Sequence, residues 1–227
     1  MKKLSIIFLT LLIFTLNSNS HIGHYDKYKK IEMDILRNGE VIGYNYYFFS
    51  RKKNETIVTN QIKFTVKLLG KTVFEVESYG EEKYFKNQLV SYVSKTMQNN
   101  KEKFVNLILD DDKKRFIIEG SSFSGNSLID SVIGNWWNHK ILQSERQISP
   151  ISGSIKDQVV FFVGKKKINQ YGKIYDVDHF KLQSKDMTLP KNKRLDFDIW
   201  YDPVNSLIIR VSYSRMGNWE YRLRNFE

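Results

Sequence analysis

The chain contains no cysteine, no alanine and only three prolines in 227 residues. Lack of cysteine excludes a disulfide scaffold, a thiol nucleophile and a lipid attached through cysteine. The missing alanine removes the strongest helix former. No G-x-S-x-G, H-E-x-x-H, phosphate-binding loop or dinucleotide fingerprint occurs, so the common signatures of hydrolases and nucleotide enzymes are absent too. What remains is rich in 13 Tyr, 15 Phe and many Ile, Val and Thr, residues that suit a half-buried pleated surface. The composition predicts an all-β protein.

Lys2 and Lys3 precede an apolar run from Leu4 to Leu16, which gives way to Asn17-Ser18-Asn19-Ser20. A positive start, a short apolar stretch and small residues at its end define a secretory signal peptide. The run falls short of the roughly 20 residues that a spanning helix needs. Residues 1–20 are therefore expected to be removed near Ser20-His21, leaving 21–227 as a single β-rich domain of the periplasm or cell exterior. The formal charge is +11, carried partly by Lys27-Tyr28-Lys29-Lys30, Arg51-Lys52-Lys53, Lys165-Lys166-Lys167 and Lys191-Asn192-Lys193-Arg194. Acidic stretches such as Asp110-Asp111-Asp112 separate these clusters, which read as solvated turns more readily than as a dedicated anion surface. An anionic membrane surface stays open as a partner, whereas export argues against nucleic acid.

Alternation is clearest near the C-terminus. Leu195, Phe197, Ile199 and Tyr201 share one phase, as do Leu207, Ile209, Val211 and Tyr213, and then Trp219, Tyr221 and Leu223, with turns at Asp202–Ser206 and Arg215–Asn218. This predicts a three-strand meander. Asn38-Gly39, between Ile31–Ile35 and Val41–Phe49, is a hairpin turn signal. The pattern continues for roughly ten to twelve strands, and a sheet that large must curl, close or split. Leu128, Val132 and Trp136, with Ile129, Ile133 and Trp137, recur every four residues. That spacing predicts one amphipathic helix over about 126–140, capped by Asn126 or Ser127 and plugging the concave side of the sheet.

Candidate chemistry is sparse. His21 and His24 could hold copper at a new N-terminus if His139 or His179 joined them, but incidental histidines are the simpler account, and no metal or cofactor is assigned. Asp196 and Asp198 sit about 7 Å apart along a strand, within the span of an inverting glycosidase pair. The polar phase of an alternating strand is the simpler account of them, and no catalytic residue is assigned. The aromatic residues Tyr44, Tyr46, Phe48, Trp136, Trp137, Trp200 and Tyr201 are candidates for the wall of a ligand cavity, because Tyr and Trp pair a large apolar body with one polar tip. Core packing is the competing role for each.

Arg37-Asn38-Gly39-Glu40-Val41-Ile42-Gly43, Asn135-Trp136-Trp137-Asn138, Tyr175-Asp176-Val177-Asp178-His179-Phe180 and Asp198-Ile199-Trp200-Tyr201-Asp202 together resemble an exported bacterial family, the domain of unknown function 6134. The resemblance runs in order over nearly all of 21–227 and implies export and a curved β-sheet similar to periplasmic lipoprotein carriers. It supplies no activity and no site residue. The expectation is a non-catalytic binding protein holding an apolar or amphipathic ligand, such as a lipid, in the cavity of the curved sheet. An envelope assembly or structural protein that binds a protein partner is the alternative, and a carbohydrate-active hydrolase the third.

Overall fold

The computed structural model describes residues 22–227, so the expected export signal and His21 lie outside the described residues. Among the described residues fifteen strands form one sheet. The first eight are β1 (Lys30–Arg37), β2 (Glu40–Lys52), β3 (Glu55–Leu68), β4 (Lys71–Phe85), β5 (Gln88–Gln98), β6 (Lys101–Asp110), β7 (Arg115–Gly120) and β8 (Phe123–Leu128). Two short strands follow, β9 (Val132–Ile133) and β10 (Arg146–Ile148). Then come β11 (Ile155–Gln170), β12 (Lys173–Ser184), β13 (Asp196–Asp202), β14 (Leu207–Ser214) and β15 (Asn218–Phe226).

Turn chemistry sets the register of the long hairpins. At Asn38-Gly39, Leu69-Gly70, Lys86-Asn87, Asn99-Asn100 and Tyr171-Gly172 both loop residues have positive φ, the two-residue type I′ geometry whose twist matches that of paired strands. Asn38-Gly39 joins Arg37 to its partner Glu40 as the sequence predicts. Gly43 is constrained differently: a Cβ there would lie 2.0 Å from the Lys63 carbonyl oxygen, so the β2–β3 ladder at this point admits only glycine.

Neighbouring strands run in the order β8 to β1, then β15 back to β9, and every pairing is antiparallel except β9 with β10. The first strand and the last therefore lie side by side in the middle of the sheet. Its two edges, β8 and β9, are consecutive in the chain and separated only by Ile129–Ser131. The sheet curls almost to a barrel and stays open at that seam.

One face of the curl surrounds a core that includes Ile31, Met33, Tyr47, Leu107, Phe116, Ile199 and Val211. The other face is partly covered too, because the twisted β11–β12 hairpin folds its tip across β1, β14 and β15. Gln170 Nε2 donates to the carbonyls of Ile209 and Leu223 at 2.9 and 2.8 Å, and Tyr171 donates to Asp34 at 2.7 Å. This explains why β1 is buried on both faces over six consecutive residues.

Two expectations need correction. Fifteen strands replace ten to twelve, since β9 and β10 span two and three residues and show no periodicity. No amphipathic helix forms over 126–140: Asn126 and Ser127 belong to β8, Val132–Ile133 is a strand, and the only helical turn there is a 3-10 turn at His139–Leu142. Leu128 is exposed while Val132 and Trp136 are buried, so the spacing of four marks no continuous stripe. Gly134, Asn135 and Asn138 break the helix by low propensity and by the polar contacts described next.

Candidate functional site: a cleft beside the internal segment

The segment from Ser131 to Gln147 crosses the concave side and fills much of it. Trp137 is 1% exposed and packs edge-on against Tyr25, Phe49 and Tyr84, with ring centroids at 4.9, 5.3 and 6.1 Å. Such edge-to-face contacts add to the burial of a large apolar surface. Polar groups fix the register of the segment. Glu82 Oε1 accepts from Asn135 Nδ2 at 2.7 Å and from Trp137 Nε1 at 2.8 Å, while Oε2 accepts from the Tyr84 hydroxyl. Burial without any cationic partner raises the Glu82 pKa, and its three hydrogen bonds counter that only in part. The Tyr47 hydroxyl, pinned by Asn45 at 2.8 Å, accepts the Trp136 backbone N–H at 3.1 Å. Tyr25 Oη lies 2.8 Å from both His139 Nδ1 and the His139 backbone N–H. Further along, Tyr92 and Ser94 both donate to the Pro150 carbonyl.

The segment does not occupy everything. Beside Trp136 a cleft of about 600 Å³ opens between the segment, the inner face of β2 and β3, the starts of β11 and β13, the end of β14 and Tyr221 of β15. Its floor is Trp136, Ile62, Tyr47, Phe197, Tyr213 and Tyr221. Trp136 meets Phe197 and Tyr221 at 5.1 and 6.0 Å between centroids, and Phe197 meets Tyr213 at 5.2 Å. Burial pushes the Tyr221 hydroxyl up to about 12, so it is a neutral hydrogen-bonding group at physiological pH. The rim is basic, formed by Lys156, Lys191, Lys193, Arg194 and Arg215, with Met187 beside them.

The candidate wall residues separate by strand phase. On β2, Asn45, Tyr47 and Phe49 are buried inward; Tyr44, Tyr46 and Phe48 take the opposite phase and face the outer side. There Tyr44 and Tyr46 stack at 4.4 Å, and the Arg224 guanidinium lies 5.2 Å from the Tyr46 ring. Trp200 also faces outward, stacked on His179 at 4.8 Å. Trp137 and Tyr201 point inward but into packed surroundings, Tyr201 against His139 at 5.4 Å. Of the seven, only Trp136 lines the cleft. Tyr47, Phe197, Tyr213 and Tyr221, not singled out by sequence, provide most of its aromatic surface.

Asp196 and Asp198 are tied down by one cation. Lys181 Nζ lies 2.7 Å from Asp196 and 2.9 Å from Asp198, and His179 Nε2 sits 2.8 Å from Asp198. Burial works to raise the Asp198 pKa, but the Lys181 and His179 hydrogen bonds outweigh it and hold the carboxyl below its ordinary value. A glycosidase pair needs one carboxyl kept protonated, which this arrangement does not favour. The rings of His24 and His139 meet at 5.2 Å, while His179 belongs to the outward cluster. Among the described residues no group of three or more His, Cys, Asp or Glu side chains is placed to hold a metal ion.

The class these features define is an open, barrel-like curled sheet filled by an irregular segment of its own chain. A family model described as Domain of unknown function (DUF6134) matches residues 33–224, and the chain belongs to that family. No curated protein sequence matches it. Among solved structures the fold is similar to a beta-barrel-like protein of the domain of unknown function DUF1849 from Brucella abortus. That similarity has a TM-score of 0.56 and 9% identity over 87% of this chain and 95% of the other. A DUF1089 family protein from Pseudomonas aeruginosa aligns at 8% identity over 73% of this chain and 87% of the other, with a TM-score of 0.34 that is too low to imply a shared fold.

Proposed function

We propose that this chain is an exported, non-catalytic binding protein that holds an apolar or amphipathic molecule such as a lipid in the cleft beside Trp136. The observation that carries the reading is the cleft's construction, an aromatic floor under a polar rim, with a volume inside the roughly 300–1,000 Å³ typical of small-molecule sites. The binding room is smaller than a hollow barrel would offer, because residues 131–147 already fill the rest. Each methylene laid on that floor contributes about 0.8 kcal/mol, so part of one acyl chain suffices for binding without any covalent chemistry. Mass spectrometry of the purified chain is expected to find a co-purifying amphiphile. Its consistent absence, together with no change in Trp fluorescence on adding lipids, would overturn the reading.

One observation favours a second reading, an envelope assembly protein with a protein partner. Ile108 and Ile117 are cross-strand neighbours on the outer side of β6 and β7 and are 62% and 47% exposed, and Val93 and Met97 on β5 are also exposed. Specific co-purification of one protein, lost on Ile108→Lys, would favour that reading over the first.

A further inference from the structure

The cations on the cleft rim come from three separate parts of the chain. Lys156 begins β11, Lys191, Lys193 and Arg194 lie in the connection before β13, and Arg215 lies in the β14–β15 turn. They are laced together through backbone carbonyls: Lys156 Nζ donates to Lys193 O at 3.2 Å, Arg215 Nη2 to Arg194 O at 3.4 Å, and Arg194 Nε to Leu189 O. Among the described residues none of the five forms an ion pair, although fifteen other close Lys or Arg contacts to carboxylates are present there, from Lys30–Glu32 to Arg224–Asp34. The carboxylates nearby are already engaged: Asp196 by Lys181 at 2.7 Å, and Asp186 by the Thr188 hydroxyl and backbone N–H at 2.7 and 2.8 Å.

Asp196 lines the same cleft and Asp186 attracts Arg194 from a distance, but five cations gathered against these two carboxylates leave an excess of positive charge that a bound anion would relieve. Lys156 records the conflict, since burial and then the charges of Arg215 and Lys193 lower its pKa. The aromatic floor lies directly inside this rim, so an apolar chain on the floor would place its head among the cations.

Building on the proposed binding function, we infer that the cleft takes an amphiphile with a phosphate headgroup, its acyl chain on Trp136, Phe197 and Tyr221 and its phosphate held by Lys156, Lys193 and Arg215. A phosphate offers several acceptor oxygens and up to two negative charges, which matches converging Lys and Arg donors better than a neutral or singly charged head does.

Titration of the purified chain with decyl phosphate, decanol and inorganic phosphate, followed by Trp fluorescence and calorimetry, tests this. Decyl phosphate is expected to bind about tenfold or more tightly than decanol, as three partly exposed ion pairs would provide. In the K156Q/K193Q/R215Q variant, and in high salt, that advantage is expected to disappear while decanol affinity stays unchanged, which also shows that the variant is folded. Equal binding of the two probes, or an advantage that survives the triple substitution, would overturn the headgroup assignment and leave the cleft reading standing. Inorganic phosphate binding as tightly as decyl phosphate would overturn the lipid part. Failure of both decyl probes to bind would remove the binding function itself.

Discussion

Replacing Glu82 should separate the cost of a buried charge from the value of the hydrogen bonds it receives. In Glu82→Leu the Asn135 amide and the Trp137 indole lose the carboxylate oxygen that accepts from both of them inside the core. Tyr84 keeps a second polar neighbour in Asn138. An unsatisfied buried donor costs roughly 1–3 kcal/mol, so two cost roughly 2–6 kcal/mol, a large share of the roughly 5–15 kcal/mol that stabilises a typical domain. Glu82→Gln differs, because its carbonyl can accept from Asn135 and Trp137 and its amide can donate to the Tyr84 oxygen, with no charge to bury. The Glu82 pKa is raised in the folded state. Stability from this carboxyl is thus fully present below its unfolded pKa, about 4.3, and is lost as pH rises through the folded value. Urea unfolding monitored by Trp fluorescence should show E82L destabilised by roughly 2–6 kcal/mol, and E82Q at least as stable as wild type near neutral pH. The E82Q advantage should shrink toward pH 4–5. An E82L protein within about 0.5 kcal/mol of wild type, or E82Q as damaging as E82L, would refute the reasoning that the segment is latched by this carboxylate.

Three other outcomes follow from the packing. Gly43→Ala should cost about 3 kcal/mol or more, as seen by thermal unfolding, because the added methyl meets backbone at 2.0 Å, which no rotamer can relieve. Trp137→Ala should cost about 3–5 kcal/mol in urea titrations, while Trp200→Ala, at a half-buried position, should cost less. Asp198 has a lowered pKa, so the stability it supplies is present above its unfolded pKa and lost as pH falls through the folded value. Asp198→Asn should therefore destabilise at neutral pH by an amount that vanishes in strong acid, measured by unfolding across that range.

Much of the fold could be read locally and much of the site could not. Asn38-Gly39 and the alternation of Leu207, Ile209 and Val211 are properties of adjacent residues, and they predict β1–β2 and the β13–β15 meander correctly. On β2 the run Tyr44-Asn45-Tyr46-Tyr47-Phe48-Phe49 is aromatic in both phases, so hydrophobicity cannot say which face turns inward. The buried Asn45, held by Asn60 at 2.6 Å, sets that choice across two strands. Leu128, Val132 and Trp136 satisfy a helical spacing by coincidence, since short strands and polar anchors from β2 and β4 govern that segment. Glu82 did leave a sequence signal, a carboxylate in the same phase as Val76, Gly80 and Tyr84 on β4, all buried. The basic rim left none beyond Lys191-Asn192-Lys193-Arg194, which reads as a solvated turn until Lys156 and Arg215 are brought to it through space.

The most direct test of the cleft is quenching of Trp136 by a fatty chain brominated along its length, compared between the wild-type chain and Trp136→Phe. Saturable quenching in the wild type that largely disappears in W136F is the expected result, because Trp136 is the only tryptophan among the described residues that lines the cleft. Quenching that is equally strong in W136F, or none in either protein, would contradict the placement of an apolar ligand on the Trp136 floor.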